Sequence, residues 1–273
     1  MSTGTELAAR LALGTLLAFA SAGCAAHSTR SDLSAVREIV KDRGRLALDN
    51  PNEREPEAVE QDVHALLARP LTLDNAVRVA LLNNRELRAE LLGLGVARGQ
   101  LVQANLFPNV DFDVAVRLPR NAGDHPARGY DLGAAIDLTQ LILRGPRMDV
   151  AEAELEAARV RAAGAALDLS YRVRLAYYDV QASEQQLELF RTAMQAFGAA
   201  FDTARELQRA GNVSELDVVT EQSAYESARV AVAESEAELL EARERLNVLL
   251  GVFGKATVWE IQPRLPDASA RIS

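Results

Sequence analysis

The residues best spaced for chemistry are four aspartates, Asp111, Asp113, Asp131 and Asp137, set at alternate positions within two runs of alternating polarity. In an extended chain every second side chain shares a face. Val110, Phe112, Val114, Val116 and Leu118 then point one way, and Asp111, Asp113, Ala115 and Arg117 the other. Tyr130, Leu132, Ala134, Ile136 and Leu138 alternate in the same manner with Asp131, Gly133, Ala135, Asp137 and Thr139. Paired, the two runs would gather the aspartates into an acidic patch that favours cations in a water-filled lumen, and such faces suit plain solvent equally well. The spacing makes no metal site. His27, His64 and His125 are scattered. There is no HExxH, CxxC, phosphate-binding glycine loop or GxSxG. No catalytic residue and no cofactor are expected, and the chain does not read as an enzyme.

Cys24, the single cysteine, excludes an intrachain disulfide. Arg10 precedes the apolar run Leu11 to Ala20, and Ser21-Ala22-Gly23-Cys24 follows. This is the layout of a signal peptide over 1–23. It also resembles a bacterial lipobox, in which Cys24 is acylated and becomes the new N-terminus, with Ser21 standing where a Leu is usual. The alternative is an ordinary signal peptide that contains a cysteine. Acyl chains of the palmitate type contribute about 0.8 kcal/mol per buried CH₂ and hold a protein on a membrane. Ala25 after the cysteine suits sorting to the outer membrane.

Positioning these residues falls to a distinctive order of elements. Residues 24–69 are polar and broken by Pro51 and Pro56, and read as a lipid-anchored linker with a short helix near Leu33 to Val40. A helix is predicted over 71–106, N-capped by Thr72 and interrupted at Asn83-Asn84. Leu87, Leu91, Leu94 and Leu101 are its expected contacts, and Gly93, Gly95 and Gly99 would allow close helix approach. Phe107-Pro108-Asn109 ends it. The β-hairpin occupies 110–143, with runs as long as tilted barrel strands; an amphipathic hairpin lying on a helix is the soluble alternative.

Gly145-Pro146 is expected to separate this hairpin from a helical pair over 147–250, whose first helix would run about 90 Å at 1.5 Å per residue. Gly211-Asn212 supplies the stop and Ser214 the next N-cap, with Asp217 in its acidic first turn. Leu187, Phe190, Met194, Phe197 and Phe201 form one apolar side, and Leu216, Val219, Leu239, Leu246 and Leu250 the other. Residues 252–273 read as a C-terminal linker with a short extended piece near Thr257 to Ile261.

A net charge of −9 over 273 residues argues against nucleic-acid binding. The low aromatic content, 5%, fits long paired helices with thin, Ala-rich contacts. The fold class is mainly α with a small β part.

Three stretches resemble one repeat of the TolC family of outer-membrane efflux proteins. The first is Leu71-Thr72-Leu73-Asp74-Asn75-Ala76 with Ala80-Leu81-Leu82-Asn83-Asn84. The second is Ala104-Asn105-Leu106-Phe107-Pro108-Asn109 leading into a strand. The third is Gly211-Asn212-Val213-Ser214-Glu215-Leu216-Asp217-Val218, followed by an Ala/Glu-rich helix closing at Leu246-Asn247-Val248-Leu249-Leu250-Gly251. The resemblance covers 70–251 and implies half of a TolC-like subunit. A long helical hairpin would serve as a tunnel element, and a two-stranded hairpin as part of a transmembrane barrel. It implies a passive export duct of a tripartite pump, lipid-anchored in the outer membrane of a Gram-negative bacterium with its helices in the periplasm. The partners implied are a periplasmic adaptor, or membrane fusion protein, and an inner-membrane pump of RND type. By position, Gly211, Ser214, Leu216, Asp217 and Val218 are the adaptor-contact tip, and Asp111, Asp113, Asp131 and Asp137 the lumen-facing residues.

Family members are trimers of two-repeat chains, and this sequence holds one repeat. Six strands in a trimer would leave essentially no lumen. A hexamer, a second half on another chain, and a truncated non-functional product are the alternatives, beside a structural periplasmic coiled-coil lipoprotein.

Overall fold

The computed structural model describes residues 30–49, 54–117 and 129–262. Cys24 and the signal peptide lie outside the described residues, as do 118–128 of the hairpin loop and 263–273 of the tail. The elements run α1 (Arg30–Gly44), α2 (Pro56–Leu67), α3 (Leu73–Asn83), α4 (Arg85–Asn105), β1 (Val110–Arg117), β2 (Gly129–Ile136), α5 (Leu138–Ile142), α6 (Arg144–Arg209) and α7 (Glu215–Leu250), then a 3₁₀ turn at Gly254–Thr257. No described helix is long and apolar enough to cross a membrane. The chain divides into two compact units, one built around Gly95–Leu155 and the other from Leu33–Leu94 with Glu156–Ser273.

In the first unit β1 and β2 form an antiparallel ribbon whose register sets Val110 opposite Ile136, Asp113 opposite Gly133 and Val114 opposite Leu132. The expected strand run to Leu143 stops at Ile136 instead. Asp137 turns the chain because its carboxylate accepts the backbone N–H groups of Thr139 and Gln140 at 2.9 and 3.2 Å, capping α5. Leu138 to Ile142 are therefore helical. Gly145-Pro146 does not separate two elements but lies in the first turn of α6, where a proline's missing N–H costs no hydrogen bond. This unit also holds a buried ion pair. Arg98 on α4 donates from Nε to the Asp32 carboxylate at 2.8 Å and pairs with it through Nη2 as well. Asp32 is fully buried, and the two-pronged contact offsets its desolvation.

In the second unit the core consists of apolar faces from α1 to α4 packed with α6 and α7. Leu33, Val36 and Val40 of α1 and Val59, Val63 and Leu67 of α2 are buried. Residues 24–69 were expected as a linker with a short helix near Leu33 to Val40; α1 covers that stretch, and α1 and α2 both pack, because at three- and four-residue spacing their apolar side chains share one face. Leu87, Leu91 and Leu94 are buried as expected and Leu101 is half-buried. Gly93 and Gly99 face open space rather than a neighbouring helix. The break between α3 and α4 falls at Asn84, whose Oδ1 accepts the N–H of Leu87 at 3.0 Å and caps α4. Thr72 caps α3 by accepting from Asn75 N–H at 3.2 Å.

The tail is not a linker as far as Gln262. Leu71 and Ile261 form a parallel β-bridge, with Leu71 N–H donating to Glu260 at 2.7 Å and Gln262 N–H returning to Leu71 at 3.3 Å. The Tyr177 hydroxyl donates to the same Leu71 carbonyl at 2.8 Å. Burial pushes the Tyr177 hydroxyl's pKa up. Trp259 is buried and donates from Nε1 to Asn247 at 2.8 Å.

Candidate functional site

The ribbon separates its side chains by face. Phe112, Val114 and Leu132 are 78%, 68% and 81% exposed. Asp111, Asp113 and Asp131 share the opposite face by the register, with Ala135, Gly133 and Ala115 as their cross-strand partners. A Cβ on Gly133 would collide with the Asp113 carboxylate, so that carboxylate lies over the bare glycine. Three of the four aspartates expected to act together are thus brought to one surface. Asp137 is excluded because it sits past the strand as the cap of α5. Among the described residues no group of three or more His, Cys, Asp or Glu is placed to hold a metal.

In the second unit, the turn between α6 and α7 is built from two capping devices. Gly211 adopts φ +77°, which a side chain disfavours. That conformation lets its N–H reach Gln208 at 2.9 Å and lets Asn212 N–H reach Leu207 at 2.9 Å, satisfying the last carbonyls of α6. On the far side Ser214 and Asp217 form a capping box. Asp217 N–H donates to Ser214 Oγ at 3.3 Å, while Ser214 N–H donates to the Asp217 carboxylate at 2.9 Å. The Ser214 hydroxyl donates to that carboxylate too, at 2.7 Å, and these hydrogen bonds hold Asp217 below the usual carboxylate range.

The turn presents Leu216, 74% exposed, and Val219 beside it. Val219 was expected inside the hairpin, and Leu216 was placed both there and at the contact tip. Val218, expected at the contact surface, is buried instead. With Ser214 as N-cap, a helical period of 3.6 carries Val218 inward and leaves its neighbours outside. Leu187, Leu246 and Leu250 are buried as expected, whereas Phe197 remains exposed. Phe201 stacks on Tyr225 with ring centroids 6.2 Å apart.

A third cluster went unread in the sequence. Arg243 on α7 donates to Glu184 on α6 at 3.0 Å and to the Trp259 carbonyl, and its guanidinium lies 4.2 Å from the Trp259 ring centroid. Glu184 has its pKa raised, chiefly by burial, with Arg243 working against that shift. The single tryptophan was the available signal, and it pointed to no partner.

Residues 76–252 match the family model for outer membrane efflux proteins. The chain belongs to that family. Two curated relatives agree. The probable efflux pump outer membrane protein TtgC of Pseudomonas putida is 27% identical over 191 residues, covering 66% of this chain and 40% of that protein. The cobalt-zinc-cadmium resistance protein CzcC of Cupriavidus metallidurans is 26% identical over 184 residues, covering 67% of this chain and 43% of that protein. The chain therefore spans less than half the length of the curated relatives it matches. In fold it is similar to the solved structure of CusC, described as a transmembrane channel, with a TM-score of 0.62 at 20% identity. That match covers 72% of this chain and 46% of CusC.

The family is one of outer-membrane efflux channels with periplasmic helical parts, and not of enzymes. Its channels form oligomers and work with an adaptor and an inner-membrane pump. The expected class, a mainly helical half of a TolC-like subunit with one small ribbon, stands.

Proposed function

We propose that this chain supplies part of a passive export duct, the outer-membrane channel component of a tripartite efflux pump. The observation that carries the reading is the two-faced ribbon: large apolar side chains stand exposed on one surface and aspartates on the other. Lipid on the first face and a polar lumen on the second account for both. An unpaired ribbon edge in hydrocarbon leaves backbone groups unsatisfied, so the ribbon enters a bilayer only beside further strands, from other copies or another repeat. Asp111, Asp113 and Asp131 then line the lumen. At the α6–α7 turn, Gly211, Ser214 and Asp217 hold the backbone shape, Val218 braces it from within, and Leu216 meets a periplasmic adaptor. An inner-membrane pump of RND type supplies the energy, and acylation of Cys24 anchors the chain to the outer-membrane lipid.

The test is electrophoresis of isolated outer membranes with and without boiling, combined with protease treatment. A heat-dependent shift and a protease-resistant ribbon segment support the duct. A chain washed from membranes in soluble form, with no shift, would instead be a periplasmic coiled-coil protein.

A further inference from the structure

Within the first unit α4 ends, both strands root, and α5 runs into α6 at one junction. A cavity of about 780 Å³ opens there. Gln103, Gln140, Arg144 and Arg147 line it with Phe107, and Glu154 is the one carboxylate among its lining residues. Arg144 is held in place: Nε and Nη2 donate to the Asn105 carbonyl at 3.0 and 2.8 Å, and the guanidinium lies 4.4 Å from the Phe107 ring centroid. The Arg147 side chain has no hydrogen bond or ion pair among the described residues. Around the junction Leu106, Phe107, Leu138 and Ile142 are all more than half exposed. So large an apolar surface marks a contact with something apolar. Apolar side chains followed at once by an arginine pair form the pattern of a membrane boundary, where guanidinium groups reach the headgroup layer from an apolar stem.

We propose that this junction cavity seats the headgroup phosphate of an anionic phospholipid, in the leaflet that the ribbon enters, with Arg147 as the principal contact and Arg144 beside it. The proposal rests on the ribbon's entering a bilayer. Guanidinium groups match phosphate oxygens in geometry and charge, Gln103 adds a neutral donor while Gln140 already donates its amide to Asp137 at 3.0 Å, and the surrounding apolar side chains meet the upper acyl chain. A second copy docking through the same face across a two-fold axis would set these arginines against their own kind, whereas a phosphate headgroup complements their charge.

The test is flotation of the full chain with vesicles of phosphatidylcholine alone and of phosphatidylcholine mixed with phosphatidylglycerol. Binding to the mixed vesicles is expected to exceed binding to the neutral ones. Arg147→Gln should remove about fivefold of that excess, the effect of one cation at a charged surface, and lower binding to the neutral vesicles by less, because the phosphate of phosphatidylcholine is balanced by its own ammonium group. Arg209→Gln, which removes the same charge at the C-terminal end of α6, should change nothing. Equal losses in both variants would overturn the proposal as mere net charge. Displacement by inorganic phosphate at matched ionic strength would overturn it in favour of a free-anion site. An Arg147→Gln chain that loses its oligomer but keeps its lipid preference would show a protein interface instead. Flotation without lipid preference overturns this inference and leaves the duct standing, whereas no flotation at all overturns both.

Discussion

Asn83 donates from its side-chain nitrogen to the carbonyl of Gly251 at 2.8 Å, across 168 residues of chain, and to that of Leu250 at 3.1 Å. Its neighbour Asn84 donates to Leu249 at 3.0 Å. The paired asparagines thus satisfy the last carbonyls of α7, which have no partner within their own helix. This contact closes the second unit, joining the first helices of the family repeat to its end.

Gly251 is the tightest point of that closure. Its φ is +68°, and a Cβ there would stand 2.6 Å from the Asn83 carbonyl oxygen. Gly251→Ala is expected to lower stability by about 2 to 4 kcal/mol, through backbone strain and a clash with a rigid atom. Asn83→Ala should cost about 1 to 2 kcal/mol through lost hydrogen bonds. Urea unfolding followed by circular dichroism measures both.

Arg243→Ala should destabilise the second unit by about 2 to 3 kcal/mol, because hydrogen bonds to Glu184 and Trp259 and the contact with the indole ring vanish together. Arg243→Lys should recover only part, since a lysine cannot fork to two acceptors and stack on the ring. Trp259 fluorescence during unfolding reports on this site directly.

Glu184 makes a distinct contribution to pH dependence. Its pKa is raised in the folded state, mainly by burial, so the folded protein holds this proton more tightly than the unfolded chain. The resulting stability is fully present below the ordinary glutamate pKa and is lost as pH rises through the raised value. Glu184→Gln should flatten the stability profile in that weakly acidic range. An unchanged slope between wild type and variant would refute the assignment.

Asp217 behaves in the opposite sense. Hydrogen bonds from Ser214 lower its pKa, so its support of the tip is present above the ordinary aspartate pKa and is lost as pH falls through the lowered one. Hydrogen-exchange protection factors for the first turn of α7 should hold from neutral pH down to about 4 and fall below that. Ser214→Ala should reduce them at every pH.

On the ribbon, Leu132→Arg should prevent membrane assembly, because an arginine on a lipid-facing strand position costs about 2 to 4 kcal/mol at mid-bilayer. Asp131→Asn, on the other face, should leave assembly intact and weaken cation preference in conductance recordings of the assembled channel. If the two substitutions acted alike on assembly, the faces would have been misassigned.

Local rules made much of this protein readable from its residues. Alternation placed β1 and β2, and Thr72, Ser214 and Gly211 marked helix ends, because capping and periodicity act within a few residues. The aspartates of the strand face followed from the same period of two. Tertiary structure decided what local rules leave open. Asp137 continues the strand alternation, yet its carboxylate can also cap a helix, and the chain takes that course. Residues 30–49 and 54–67 look like linker because they are rich in charge and broken by proline, but Leu33, Val36, Val40, Leu48, Val59, Val63 and Leu67 are buried. The tail past Gly251 is held by Leu71, Tyr177 and Arg243, and the end of α7 by Asn83 and Asn84. These contacts arise only when segments far apart in sequence meet, and no nearest-neighbour pattern encodes where an asparagine's amide will find its carbonyl.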